Sequence, residues 1–186
     1  MISTTTLRRA GALAVLSIVV VLAGCASSAN RKAMTPTSIA SSKELPYSLS
    51  VKTGGGNETN PMWSSDISNE DLAAAIEKSV TQSALFKEVV KGKSGDYELS
   101  VSIVKLTKPM FGAAFTVDME AGWSLIKTSD KSVAMRQVIK STYTGGAFDS
   151  LVGTTRLRMS VEGAARNNIK QGLEATSLDF SAKEYP

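Results

Sequence analysis

YELSVSIVKLTK at 97–108, FTVDMEAGWSLIK at 115–127 and VAMRQVIKSTY at 133–143 are the stretches that decide the fold. In the first, Tyr97, Leu99, Val101 and Ile103 alternate with Glu98, Ser100, Ser102 and Val104. In the second, Phe115, Val117, Met119, Ala121, Trp123 and Leu125 alternate with Thr116, Asp118, Glu120, Gly122 and Ser124. A period of two places one set on a buried face and the other in water, which is the pattern of a half-buried strand. Pro109 stops the first strand, and TSDK at 128–131 is a hairpin turn into the third, where Val133, Met135, Ile139 and Tyr143 point inward. Three strands joined in succession predict an antiparallel meander with one apolar face.

That apolar face has to be covered. Upstream, Ser68 is a helix N-cap, with Glu70 and Asp71 near the positive end of the helix dipole. Leu72, Ala75, Ile76, Ser79, Val80 and Ala84 then recur at helical spacing, and the helix ends near Leu85 or Phe86. Phe86, Val89 and Val90 form a short extended piece, and GKSG at 92–95 turns the chain. Downstream of Gly145 and Gly146, a loop holds Phe148 and Leu151. A second helix runs from about Thr154 to Ala175, with Leu157, Val161, Ala165, Ile169 and Leu173 at every fourth position. Tyr47, Leu49 and Val51 mark one further strand before the helices, followed by a glycine-rich loop at 54–57 read as mobile. Its three glycines lack the Gly-Lys-Ser/Thr ending of a phosphate loop. The expected fold class is α+β. It is a two-layer sandwich of one mainly antiparallel sheet of about four strands, with two helices on one face.

The N-terminus reads differently. Arg8 and Arg9 precede a fourteen-residue apolar stretch at 10–23, and small residues follow. A charged start, an apolar middle and a small-residue end describe a secretory signal peptide. As a helix the apolar stretch is about 21 Å long, short of a hydrocarbon core of about 30 Å. Removing 1–24 leaves 162 residues and a net charge of +2, enough for one domain and without a nucleic-acid footprint. The expected divisions are a signal peptide at 1–24, a flexible tether at 25–43, a folded domain at 44–176 and a loose tail at 177–186. The chain contains no histidine and a single cysteine, Cys25. Ser-His and Cys-His nucleophiles are thereby excluded, and a metal site would have to be built from carboxylates, which suits calcium or magnesium better than zinc. Asp118 and Glu120 share one strand face, read as solvated rather than cation-binding. No catalytic, cofactor or metal site is assigned, and an enzyme is not expected.

Leu22-Ala23-Gly24-Cys25 resembles the lipobox of bacterial lipoproteins. The resemblance implies cleavage between Gly24 and Cys25, a diacylglyceryl group on the Cys25 thiol and acylation of the new amino terminus. By that family's sorting rule Ala26, standing where an aspartate would mark inner-membrane retention, implies the outer membrane, with the domain facing the periplasm. The order of elements is similar to the YajG-type envelope lipoproteins and the auxiliary lipoproteins of ABC-type lipid transport systems, and more broadly to the anticodon-binding-domain-like fold. The 97–101 strand, the 115–125 strand and Glu162-Gly163-Ala164 carry that likeness. It implies a non-enzymatic binding or assembly module in envelope biogenesis, transport or maintenance. The partners implied are the membrane through Cys25 and an envelope protein or a second copy, docked at the sheet edge beside the first strand. The alternative is a carrier that holds a lipid or other apolar ligand between sheet and helices. Possible partner contacts are Trp63, which either pins the glycine loop or stays exposed, and Met110 with Phe111. Phe111 is read as folding back onto the helices, against an apolar hairpin tip that touches a partner or the membrane.

Overall fold

The computed structural model describes residues 27–40, 44–58, 65–92 and 94–184, the last four as backbone. Eight elements follow in the order α1 (Arg31–Met34), β1 (Leu45–Gly54), α2 (Asn69–Ser83), β2 (Phe86–Val89), β3 (Tyr97–Thr107), β4 (Phe115–Lys127), β5 (Val133–Gly145) and α3 (Gly153–Glu184). The five strands make one sheet in the order β2-β1-β3-β4-β5. β3, β4 and β5 are the expected antiparallel meander, in register from Leu99 against Leu125 to Ala121 against Ile139. The class is α+β, as the alternation predicted.

Two features of the sheet differ from expectation. It has five strands rather than about four, because the short piece at 86–89 pairs with β1. It is also mixed, since β1 runs parallel to both neighbours, β2 and β3. The first strand is therefore interior, and the free edge expected beside it is occupied. The physical reason is α2, which returns the chain over β1 and lets β2 add in parallel, the arrangement a helical crossover permits.

α2 lies over β1 and β2, and α3 lies over β4 and β5. Ser68 caps α2 by accepting from the Asp71 amide at 3.1 Å. The helix stops where Ala84 takes a left-handed conformation (φ 48°). Leu49, Leu99, Val117, Met119, Ala121, Trp123 and Leu125 from the sheet meet Leu72, Ile76, Val80, Val161, Ile169 and Leu173 from the helices, all buried. Val133, expected inward, is exposed at the start of β5.

The chain termini also depart from expectation. Within the stretch read as a tether, Ala29 and Met34 are buried and α1 packs between α2 and α3. The tail does not come loose after Ala175, for α3 continues to Glu184 and Ser177 is buried. Phe180 follows Leu173 by seven residues, two helical turns, and so extends the same stripe. The glycine loop is likewise held. Gly55 has φ 71°, and a Cβ there would lie 2.1 Å from the Ile103 carbonyl oxygen, so only glycine fits that approach.

Candidate functional site

Alternation along β4 sends Thr116, Asp118, Glu120 and Ser124 to the side of the sheet away from the helices. Among the described residues nothing covers this side: Thr116, Asp118, Arg136, Lys140 and Thr142 are exposed. Cross-strand pairing sets Glu120 against Lys140, with Nζ 3.4 Å from Oε1, and Lys105 flanks Glu120 on β3. Asp118 and Glu120 thus lie on a solvated face, as expected, and Glu120 meets a lysine. Alternation along β3 turns Val104 outward, and the register shift between Ile103 and Lys105 brings Lys105 to the same side, opposite Glu120. Val138 stands opposite Gly122 and is exposed as well. Gly122 supplies no side chain between the two valines; a Cβ there would lie 3.9 Å from Val104 Cγ2, in ordinary contact. The bare face is therefore a small apolar centre, Val104, Gly122 and Val138, ringed by charges and hydroxyls.

The two loops at one end of the sheet present a second feature. Met110 and Phe111 in the β3–β4 loop are 84% and 86% exposed, so the expectation that Phe111 folds back onto the helices is corrected. The loop between β3 and β4 carries them past the last paired position of the two strands, Thr107 opposite Asp118. Phe148 (98%) and Leu151 (97%), in the loop before α3, were not singled out from sequence and are exposed at the same end. Their only sequence signal was two large apolar residues in GGAFDSLVG without any periodicity.

At the opposite end a cavity of about 220 Å³ is lined by Tyr47, Tyr97, Leu125, Met135, Thr176 and Phe180, among others. Its wall is an aromatic trio: Tyr47 and Tyr97 centroids lie 5.1 Å apart, Tyr47 and Phe180 5.6 Å, Tyr97 and Phe180 5.3 Å. Ligand pockets run from roughly 300 to 1,000 Å³, so this space is smaller than a typical one. Beside it the Asp96 carboxylate accepts from the Ser48 amide at 2.8 Å and the Ser48 hydroxyl at 2.7 Å. These bonds hold the Asp96 carboxyl below its ordinary value, the backbone bond contributing most.

Cys25, Gly24 and Trp63 lie outside the described residues. Among the described residues no helix is long and apolar enough to cross a membrane, and no group of three or more Cys, Asp or Glu side chains is placed to hold a metal ion.

No protein-family model and no curated protein matches the chain. Solved structures do match. Protein XCC0632 from Xanthomonas campestris, of the DUF330 family, has a TM-score of 0.63 at 13% identity, covering 88% of this chain and 98% of its own. The hypothetical protein CT253 from Chlamydia trachomatis has a TM-score of 0.54 at 5% identity, over 74% of this chain and 99% of its own. Uncharacterized lipoprotein B from Nitrosomonas europaea has a TM-score of 0.50 at 15% identity, over 76% of this chain and 91% of its own. At these identities the likeness is one of fold: this chain has an α+β architecture that bacterial proteins, one of them named a lipoprotein, also have.

Proposed function

We propose that the chain is a lipid-anchored envelope lipoprotein that acts as a non-enzymatic binding or assembly module at the outer membrane, with its domain in the periplasm. Three things support the anchor: the apolar segment behind Arg8-Arg9, the Leu22-Ala23-Gly24-Cys25 pattern, and a fold also found in a protein named a lipoprotein. The order of elements supports kinship with YajG-type or ABC-transport auxiliary lipoproteins.

One observation carries the choice between module and carrier. The space between sheet and helices is filled by fully buried side chains, Trp123, Leu49, Met119, Ile169 and Leu173 among them. The cavity of about 220 Å³, lined by both layers between the sheet and the C-terminal part of α3, is confined to one end and is smaller than a typical ligand pocket. This filling favours binding at the surface over carriage of a ligand between the layers, and the bare sheet face offers an apolar centre with a polar rim, the anatomy of a protein interface. The absence of histidine removes the commonest general base.

The test is photo-crosslinking in intact cells from residues introduced at Val104 and Val138, with mass spectrometry of the adducts. A discrete adduct with a second envelope protein is expected, and an adduct at twice the mass of the chain identifies a second copy as that partner. Recovery of lipid alone overturns the module reading in favour of the carrier.

A further inference from the structure

The strand registers put four chain segments at one end of the molecule. β3 finishes at Thr107 opposite Asp118, and β4 begins at Phe115 opposite Gly145, the last residue of β5. The loops 108–114 and 146–152 therefore leave the same end of the sheet, and α3 starts there at Gly153. Eight large apolar side chains are exposed among the described residues, and half of them, Met110, Phe111, Phe148 and Leu151, stand in these two loops. The second loop has one charged side chain, Asp149, which bonds within the loop, and Arg156 reaches the loop from the first turn of α3. Asp149 accepts from the Gly146 amide at 2.7 Å, and Arg156 donates to the Ser150 carbonyl at 2.6 Å.

The path of the N-terminal segment points to the same end. Arg158 Nη1 donates to Ser27 Oγ at 2.8 Å, the Asn30 amide donates to Glu162 Oε1 at 2.9 Å, and Arg166 Nη1 donates to the Ala33 carbonyl at 3.0 Å. Three steps along the segment match one turn of α3 each time, so the segment runs in the same direction as the helix. Ser27, where the described chain begins, thus meets the N-terminal part of α3, which follows the loop of Phe148 and Leu151. Cys25 precedes Ser27 by two residues, at most about 7 Å of extended backbone.

We propose that loops 108–114 and 146–152 are a membrane-facing end. Met110, Phe111, Phe148 and Leu151 enter the interfacial zone of the bilayer that holds the acyl chains of Cys25. The inference rests on the reading of Cys25 as acylated. A lipid surface is the occupant because Cys25 lies only two residues before Ser27, which is held at the end of α3 from which these loops leave, and a bilayer accepts scattered apolar tips without a shaped partner. The interfacial region is where aromatic and long apolar side chains are stable at a membrane. The bare sheet face then stands along the side of the molecule, free for a protein.

The experiment uses the mature protein carrying its native N-terminus, reconstituted into phosphatidylethanolamine–phosphatidylglycerol vesicles. Cys25 is the only cysteine, so wild-type protein takes up no thiol-reactive nitroxide if that sulfur is acylated. Nitroxides are placed through Ala113→Cys, which keeps all four apolar side chains, through Phe148→Cys, and through Ser129→Cys in the turn at the other end of β4. Collisional relaxation is then read with oxygen, which enters lipid, and with a water-soluble nickel complex. The expected result is several-fold greater oxygen than nickel accessibility at 113 and 148, and the reverse at 129. Nickel accessibility at 113 and 148 equal to that at 129, with wild type unlabelled, overturns the membrane-facing end and leaves the anchor standing. Labels at 113 and 148 shielded from both reagents and broadened by spin–spin coupling indicate contact between copies and also overturn it. Uptake of label by wild-type Cys25 overturns the anchor, and the inference falls with it.

Discussion

Trp123 shows how single side chains fix the distance between the layers. Its indole N–H donates to Asn168 Oδ1 at 2.9 Å; Asn168 Nδ2 donates to the Ile139 carbonyl at 2.9 Å and lies 3.2 Å from Ser141 Oγ, whose hydroxyl donates to the Ala164 carbonyl at 2.9 Å. A wholly buried polar chain thus runs from β4 through α3 to β5 with its members paired. Gly172 permits this closeness, since a Cβ there would lie 2.4 Å from Trp123 Cε2. Gly172→Ala gains about 1 kcal/mol in helix propensity. It loses about 1–3 kcal/mol to overpacking, and a displaced indole also gives up its bond to Asn168. The expected net effect is destabilisation, read as a lower urea midpoint. Asn168→Ala orphans the indole N–H, at about 1–3 kcal/mol, in the same assay. Asp96 gives a pH signature. Its folded pKa lies below the ordinary 3.8, so the stability it contributes is present above that value and lost as pH falls through the folded one. Asp96→Asn should lower Tm at pH 7, and the gap from wild type should close in the acid range. Trp123 could be placed in the core from alternation alone. Gly172 and Asn168 could not, because their roles depend on which ring the helix meets.

Elements were legible where their period ran long. β3, β4, β5 and the two long helices carry patterns of ten or more residues, and each lies within a few positions of its expected bounds, apart from the C-terminal end of α3. The short ones were not legible as packed structure. α1 is four residues with one buried side chain, Met34, and no repeat can show in that length. The end of α3 was hidden because its stripe passes through Thr176 and Ser177 before reaching Phe180. These polar residues are buried, and the Thr176 hydroxyl donates to the Gly172 carbonyl at 2.8 Å. Phe180 is the lid of the cavity by Tyr47 and Tyr97. Phe180→Ala removes a half-buried ring, at roughly 1 kcal/mol, and widens the opening. Binding of a small fluorescent apolar dye, weak in wild type, should rise in the variant, and an unchanged signal would mean that the cavity is closed by other side chains.

At the scale of the whole molecule, alternation and helical stripes implied the α+β class and two layers, whereas strand order lay beyond them. Both faces of β1 look alike to a pattern search whether the strand is an edge or lies between two others, and only the return of the chain through α2 decides it. The candidate surfaces divide in the same way. Met110 and Phe111 stood out as apolar residues between strands, but Phe148 and Leu151 gain meaning only once the registers bring both loops together. The packing of the N-terminal segment offers a test at this scale. Met34→Lys places a charge in a fully buried position and should free the segment from α3. With the near-UV circular dichroism of the folded core unchanged, the nitroxide at position 113 should lose its lipid contact while the protein stays bound to vesicles.

That packed segment has a mechanical outcome. With Ser27 fastened to Arg158, the acyl anchor proposed at Cys25, two residues earlier, would leave the folded body little slack and hold it in a set posture instead of letting it tumble on a leash. α3, 32 residues long, measures about 48 Å, and the aromatic cavity rides near its far tip. On that proposal, a protein rooted in the same membrane would meet the bare sheet side-on through a planar search, already aligned, so that less orientational freedom is surrendered at the moment of contact.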